Sequence, residues 1–516
     1  MVKVLLCCLS LYATPQDTLP VVDGHAVLQE AQALYTSDDL DAAVQLVAGL
    51  DPNDSNYIDG QELLMRALQR QGNASEALAI ARLLMEEGEN LPAHFYIEAG
   101  NVHLAAGKLE EGLTIYQRGL REFPYNHLLM YQVGYGHYKL GQFEQAIGHF
   151  QQVAQVRPFF SPAHQMLGNV LSKTQYRTKA VLSYLTYLAI EPNENWALIR
   201  LNALLNDALK EEGSVSLQLE NDHFEAYDNL LRSRAALDSR YQSAISFLVP
   251  AAQQNELLIN KLEYLEGTGD FWMNFYVPYL VKIAEEGLTK DFIYFMLYSS
   301  GNEEVMKQLE KNEGEKDAWI KITNAELWRN KLQNERTILD STGIFSHWYT
   351  EDGDVKAIGQ ETALGLKVGP FEYYHDNGRL SARGRYDSLG QKEGLWRYYH
   401  DNGTLQSVKQ YNDHGEVVGT VWHADENDRL VSKGTYVDGK MDGTYRSYYP
   451  SGRVKEEVPY TWGLKHGVER RYFRSGQLME EVQWVDNEKL GWQRRYAEDG
   501  SLELERFHES SEVGRG

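Results

Sequence analysis

The chain has 516 residues, 43% of them hydrophobic and 24% charged, with a formal net charge of −24. That balance fits folded protein rather than disorder, and the length is enough for several domains. The acidity argues against nucleic acid as a partner, because such binding needs clustered Lys and Arg to displace counterions.

The chain opens with "MVKVLLCCLSLYA": one Lys, then uncharged and mostly apolar residues to Ala13, then "TPQDTLP". This is the pattern of a short secretory signal peptide over residues 1–13, which implies export to a periplasm or cell surface. A retained segment would instead mean a cytoplasmic protein. Both cysteines, Cys7 and Cys8, lie inside it, so a mature chain would have no disulfide and no Cys-based metal site. No later run has the length and apolarity of a membrane span. "FWMNFYVPYLV" at 271–281 is ended by Lys282 and is expected to be core.

A period of 34 residues governs the next stretch. It links Pro124, Pro158 and Pro192; Gly100, Gly134 and Gly168; Gly112, Ala146 and Ala180; and Tyr116, Phe150 and Tyr184. Four positions sharing one period mark a repeat array, and the pattern closely resembles the tetratricopeptide repeat, which implies a pair of antiparallel helices per unit. Small residues at 134 and 146 would let the helices approach, and Pro158 would stop the second one. The aromatic at 150 is expected to fill the wedge against the next repeat.

By that resemblance the clear repeats are 93–126, 127–160 and 161–194, with two looser hairpins before them, which implies an α-solenoid over 25–194 with a concave groove. Some members of that family grip a peptide's C-terminal carboxylate with Lys, Asn and Arg. Asn101 and Asn169 stand at the asparagine-like position, but Ile97 and Pro162 stand where Lys is needed. The groove expected is therefore aromatic and hydrogen-bonding, made of Asn101, Tyr131, Tyr135, Tyr138, Gln165 and Asn169. Core or solvated tyrosines are the alternative. "GYGHYKLG" at 134–141 is not a phosphate loop, since Gly134 and Gly141 fill repeat positions and no strand precedes them.

From 195 to about 340 helical spacing continues between Gly and Asn breaks, but the period is lost. This reads as an irregular helical segment.

A second array then begins. Gly353, Gly378, Gly403, Asp428, Gly452, Gly476 and Gly500 follow at steps of 25 and then 24, in register with Gly369, Gly394, Gly419, Gly443, Gly467 and Gly491. "YYHDNGRL" at 373 and "YYHDNGTL" at 398 are near copies. Alternating runs such as "TLQSVKQY" and "QLMEEVQW" read as strand, tight Asn-Gly turn, strand, glycine turn. Asp428 can accept a left-handed turn, so the array should run through it.

The unit resembles the MORN-repeat variant, often catalogued as antitoxin-like, and implies a single-layer antiparallel β-meander over 343–508. Trp396 and Tyr398 are expected on one side of their strand and Tyr399 on the other, with aromatic ladders replacing a buried core. The candidate aromatic face is Tyr374, Trp396, Tyr399, Tyr449 and Tyr472. Purely structural stacking is the alternative.

No catalytic, cofactor or metal constellation stands out. His375 and His400 are one repeat position, and Asp425-Glu426-Asp428 lacks the spaced Glu of a calcium loop. The sequence therefore suggests an α+β multidomain repeat protein: α-solenoid, irregular helices, β-meander. It would act as a non-catalytic scaffold in a bacterial envelope, with a protein in the groove, a second partner on the β-array, and no cofactor. A glycan or cell-wall polymer on the aromatic array is one alternative, and an antitoxin or immunity-type protein is another.

Overall fold

The computed structural model describes residues 24–52, 54–88, 90–206, 215–219, 222–233, 250–350 and 354–509. The expected signal peptide with its cysteines, the turn at Gly353, and part of the irregular helical segment lie outside the described residues. Two compact units divide the chain, Met1–Ile115 and Tyr116–Gly516. The cut falls inside a helix, whereas the change from helix to strand falls after Leu332.

The first unit holds α1 (Gly24–Thr36), α2 (Leu40–Val47), α3 (Tyr57–Arg70), α4 (Ala74–Glu87), α5 (Ala93–Ala105) and the start of α6 (Leu109–Glu122). The second begins with the rest of α6 and continues through α7 (His127–Lys139), α8 (Phe143–Val156), α9 (Ser161–Leu171) and α10 (Arg177–Ile190). The Asn126 side chain caps α7 by accepting the Leu129 N–H at 3.0 Å, and α8 ends just before Pro158. A Cβ at Gly134 would lie 2.8 Å from the Phe150 ring, and one at Gly168 2.5 Å from the Tyr184 ring. The period-34 glycine thus makes room for the aromatic of its own hairpin, a closer contact than the expected wedge against the next repeat.

Helices α11 (Asn195–Asn206), α12 (Glu225–Ser233), α13 (Pro250–Lys261), α14 (Phe271–Phe275), α15 (Val277–Glu285), α16 (Thr289–Met296), α17 (Glu303–Lys311) and α18 (Glu313–Leu332) follow. The run at 271–281 is core as expected, with Trp272, Met273, Phe275, Tyr276, Tyr279 and Leu280 buried. Beside it the ammonium of buried Lys179 lies 3.0 Å from Asp270 and 3.2 Å from Asp222, and 4.8 Å over the Trp272 ring. Such a buried cation is tolerated only with partners of this kind.

The strands are β1 (Gln333–Ile338), β2 (Ser341–Tyr349), β3 (Val355–Glu361), β4 (Lys367–Tyr374), β5 (Leu380–Tyr386), β6 (Lys392–Tyr399), β7 (Leu405–Tyr411), β8 (Val417–Ala424) and β9 (Leu430–Val437). Then come β10 (Lys440–Met441), β11 (Gly443–Tyr448), β12 (Val454–Thr461), β13 (Leu464–Lys465), β14 (Gly467–Tyr472), β15 (Leu478–Val485), β16 (Glu488–Tyr496) and β17 (Leu502–His508). Chain neighbours pair antiparallel throughout, the short β10 and β13 opening the hairpins that β11 and β14 continue. The result is an open meander. Its first strands share a core with the helices: Ile338, Phe345, Ile358 and Tyr374 belong to the cluster that contains Met130 and Trp319. Arg157 and Asp354 pair at 2.5 Å, and Tyr125 meets Tyr374 edge-on at 5.0 Å.

Two expectations about the turns are corrected. The Asn-Gly turns are three-residue loops, with the His375 N–H bonded to Arg379 O at 2.8 Å and the Gly378 N–H to His375 O at 2.9 Å. Only the glycines are left-handed there, at φ +82° for Gly378 and +87° for Gly403, as a type I turn with a following bulge requires. Asp428 takes φ +57° in the same place, so the array does run through it.

The second glycine register marks no turns. Gly369 (φ +68°), Gly394, Gly419 and Gly491 sit inside strands and Gly443 and Gly467 begin them, where positive φ bends the ladder. The turns lie a few residues earlier, at Gly365, Gly390 and Gly415, and later at Asp438-Gly439, Trp462-Gly463 and Asp486-Asn487. In the later copies Val437 pairs directly with Lys440 across a two-residue turn. That connection is one residue shorter, and the step accordingly falls from 25 to 24.

Candidate interaction surfaces

In the second unit, α7 carries a stair of half-buried rings. Tyr131 stacks on Tyr135 at 6.5 Å, and Tyr135 on Tyr138 at 6.3 Å. The three recur at steps of four and three along one helix, which sets them on a common face. Two lysines flank the stair. The Lys173 ammonium donates to the Tyr138 hydroxyl at 2.9 Å, and Lys139 stands 5.4 Å over the Tyr135 ring. On α9, Gln165 and Asn169 are half-buried. The Asn169 amide oxygen accepts the Tyr184 hydroxyl at 2.9 Å, which positions its side chain but occupies one acceptor. Burial pushes the Tyr131 hydroxyl up to about 12, so it stays a neutral donor.

Asn101 lies in the first unit, on α5, hydrogen-bonded to Glu98. Burial raises Glu98 to about 7, against the pull of Arg66 and the Asn101 bond. Sequence reasoning missed the group beside it. Asp59, Glu62 and His94 bring carboxylate and imidazole atoms within 4.8 Å of one another. The His94 ring meets Glu62 at 2.5 Å and Asp59 at 3.6 Å, and the Glu62 bond raises its pKa. The i, i+3 spacing of Asp59 and Glu62 was the available signal, since it puts both on one face of α3.

The sheet explains why "YYHDNG" is written twice. His375 Nε2 bonds the Tyr399 carbonyl at 3.0 Å, and the Asn377 amide donates to the Asp401 carbonyl at 2.7 Å. One repeat later His400 reaches Ala424 O at 2.9 Å and Asn402 reaches Glu426 O at 2.8 Å. Each turn is strutted to the backbone of the next. Tyr449 holds the same place further on, its hydroxyl donating to Tyr472 O at 2.7 Å.

The five residues of the candidate aromatic face occupy different settings. Tyr374 is buried against Tyr125, and its hydroxyl donates to Glu372 at 2.7 Å. Trp396 is 0% exposed and donates its indole N–H to Arg385 O at 3.0 Å. Tyr399, Tyr449 and Tyr472 are half-buried, and the Tyr472 hydroxyl donates to Glu457 at 3.0 Å. Trp396 and Phe371 form a small core with Ala382, so rings here make a core rather than stand in for one. Glycines on the adjoining strand make this possible: a Cβ at Gly384 would lie 2.3 Å from the Trp396 ring, and one at Gly359 2.4 Å from Phe371. Gly359 and Gly384 stand 25 apart, a third register readable in the sequence and overlooked there.

On the same face each ring column carries a lysine and two tyrosines. Lys367 donates to Tyr373 at 2.9 Å, and Tyr373 and Tyr386 share a bond at 2.9 Å. The next repeat matches, with Lys392 to Tyr398 at 2.9 Å and Tyr398 to Tyr411 at 3.0 Å. A trough of about 600 Å³ opens over the second copy.

The family model for the MORN repeat variant matches residues 392–413, 441–461 and 465–486, each spanning parts of two paired strands. The chain thus carries tetratricopeptide-type hairpins followed by MORN-variant repeats. No curated protein matches the chain in sequence. Among solved structures, a thermophilic TPR protein of Thermus thermophilus is 19% identical, with 36% of this chain and 99% of that one covered, at a TM-score of 0.30. YrrB, described as a TPR protein with an unusual peptide-binding site, is 18% identical over 34% of this chain and 91% of its own, at 0.29. MamA of Desulfovibrio magneticus RS-1 is 15% identical over 33% and 97%, also at 0.29. At such scores these likenesses carry no weight for function. Among the described residues no helix is long and apolar enough to cross a membrane.

Proposed function

We propose that the protein is a non-catalytic scaffold that binds a protein segment along the ring stair of α7 and α9. The observation that carries this is the stair itself: three half-buried tyrosines in one row, with lysines at two of them, and half-buried Gln165 and Asn169 on α9. Rings that are ordered but not fully covered, next to fixed polar groups, have the character of binding hot spots. Asn101 and the Asp59–Glu62–His94 group give the first unit a separate polar site. The sheet offers a second docking face. Export from the cytoplasm is part of the proposal, on the strength of Met1–Ala13, and a mature N-terminus near Thr14 in fractionated cells would support it.

The test uses a photo-crosslinking residue at position 135 to identify the partner, followed by calorimetry. Tyr135→Ala with Asn169→Ala should weaken binding by about 1–3 kcal/mol, with helical content unchanged. Undiminished binding by the double variant excludes this surface.

A further inference from the structure

At one repeat position a lysine stands in four of six copies (Lys367, Lys392, Lys465 and Lys489, with Val417 and Met441 in the other two), and what it faces changes. Lys367, Lys392 and Lys465 occupy equivalent places, as do Phe371, Trp396 and Glu469. At the last of these the ammonium meets the carboxylate of buried Glu469 at 2.7 Å. At the other two it lies over a ring, 5.6 Å from Phe371 and 4.4 Å from Trp396. The early repeats therefore retain the cation without its counter-charge. Lys409 joins them on the same face, 5.1 Å over the Tyr398 ring. Among the described residues no carboxylate lies within 4.0 Å of these three ammoniums, although Glu361 opposes Lys367 in register and Asp401 and Glu426 line the trough. A local excess of cation on a chain of net charge −24 runs against the overall balance. Burial, and after it the other two lysines, lower the Lys392 pKa.

The hydrogen bonds have a direction. An ammonium can only donate, so Tyr373 and Tyr398 accept from lysine and can pass their own hydrogens to Tyr386 and Tyr411. Among the described residues the hydroxyl hydrogens of Tyr386 and Tyr411 then have no acceptor, which leaves them for a ligand. Ammonium and hydroxyl donors on one face call for an anion.

We propose that this face binds an acidic glycan, an extended polysaccharide with a carboxylate on at least every second sugar, using Lys367, Lys392 and Lys409 as counter-charges. The repeating Lys–Tyr–Tyr columns are two strands apart, about 9.6 Å from the usual strand spacing. A sugar in an extended chain takes up about the width of one strand, so every second sugar meets a lysine. A sheet face offers no backbone partners for a peptide's amides, whereas Ser381, Tyr399, His400 and Gln406 around the trough suit sugar hydroxyls. Trp396 and Phe371 are fully buried, so recognition is by charge and hydrogen bonding rather than by stacking on them. This inference stands apart from the protein-binding reading of the helices.

The test is affinity electrophoresis and calorimetry of the full-length protein with polygalacturonate, neutral dextran and polyglutamate. Polygalacturonate should bind in a salt-weakened manner and dextran should not. Lys367→Gln with Lys392→Gln should weaken binding at least tenfold. Lys409→Gln, which leaves the Lys–Tyr–Tyr hydrogen bonds in place, should weaken it at least threefold with hydrogen exchange in the sheet unchanged. Lys465→Gln, at the paired position, should leave affinity within twofold. Equal or tighter binding of polyglutamate would assign the face to an acidic protein segment and overturn the glycan. Binding of neither polymer, or binding indifferent to the Lys409 change, would overturn the site altogether.

Discussion

From β4 to β7 one row of directly paired residues reads Tyr373, Ala382, Tyr398, Ser407, whereas from β12 to β16 the same row reads Glu456, Arg471, Glu480, Arg495. The other face of the later strands alternates likewise: Arg446, Glu457, Arg470, Glu481, Arg494, Glu505. Pairs run across both faces, at 2.6 Å (Arg446–Glu457) and 2.8 Å (Arg494–Glu505) on this one and 3.0 Å (Arg471–Glu456) on the first. One backbone repeat thus supports two kinds of sheet. One position differs between the two in step with the rings. Where it is Gly359 or Gly384, the missing Cβ admits Phe371 or Trp396. At the corresponding Val458 and Val482 the branched side chain takes that space, and the ring gives way to Glu469 and Gln493. Glu469 is 1% exposed and holds Lys465 at 2.7 Å and Arg471 at 2.8 Å.

The largest expected effect comes from emptying the ring half. Trp396→Ala should cost about 3–5 kcal/mol, as large-to-small core changes do. Glu469→Gln should cost less, about 2 kcal/mol, because its cationic partners are partly exposed and can turn to water. Hydrogen exchange should rise first in 367–411 for the former and in 454–485 for the latter. Protection lost equally in both halves by either variant would mean that the two form one cooperative sheet.

pH should separate the halves at opposite ends of the scale. The Arg446 hydrogen bond holds Glu457 below the ordinary carboxylate range. A depressed folded pKa contributes stability above the unfolded value of about 4.3, and that stability fades as pH falls through the folded value. The ionic half should therefore loosen in acid. Burial, more than the neighbouring hydroxyls, raises Tyr386 and Tyr398. Their contribution is complete below the unfolded value of about 10 and declines as pH rises toward the folded one. The ring half should loosen in alkali. Exchange that accelerates first in 367–411 on acidification would contradict this assignment.

The contrast also shows what could be read from residues alone. Periods of 34 and 25 were legible because each repeat must reuse the same glycine, proline or turn residue to make the same backbone. The loop type was not, because Asn-Gly serves both two- and three-residue turns, and the closure from the His375 N–H to Arg379 O is what distinguishes them. The in-strand glycines were misread as turns for a similar reason: positive φ serves a bulge and a turn alike. The stair of Tyr131, Tyr135 and Tyr138 follows from helical spacing. The burial of Tyr374 does not, since it depends on Tyr125, far away in sequence. The Glu62–His94 contact, made between helices, was invisible for the same reason.

The smallest expected effect lies at the seam between the halves. Asp428 holds φ +57° where Gly378 and Gly403 hold +82° and +87°, and it begins the first of the 24-residue steps. A left-handed Asp is strained relative to Gly, but Asp428→Gly also frees the unfolded chain, which offsets part of the gain. The turn is already pinned by Asp425, whose carboxylate accepts the Asn427 and Arg429 N–H groups at 3.0 and 2.9 Å. Little slack is therefore left for glycine to exploit. Asp428→Gly should stabilise the sheet by only about 0.5 kcal/mol, read from the denaturant midpoint at unchanged slope. A loss of stability instead would mean that the Asp428 side chain helps to join the ring half to the ionic half, and the seam would then be a contact rather than a strained turn.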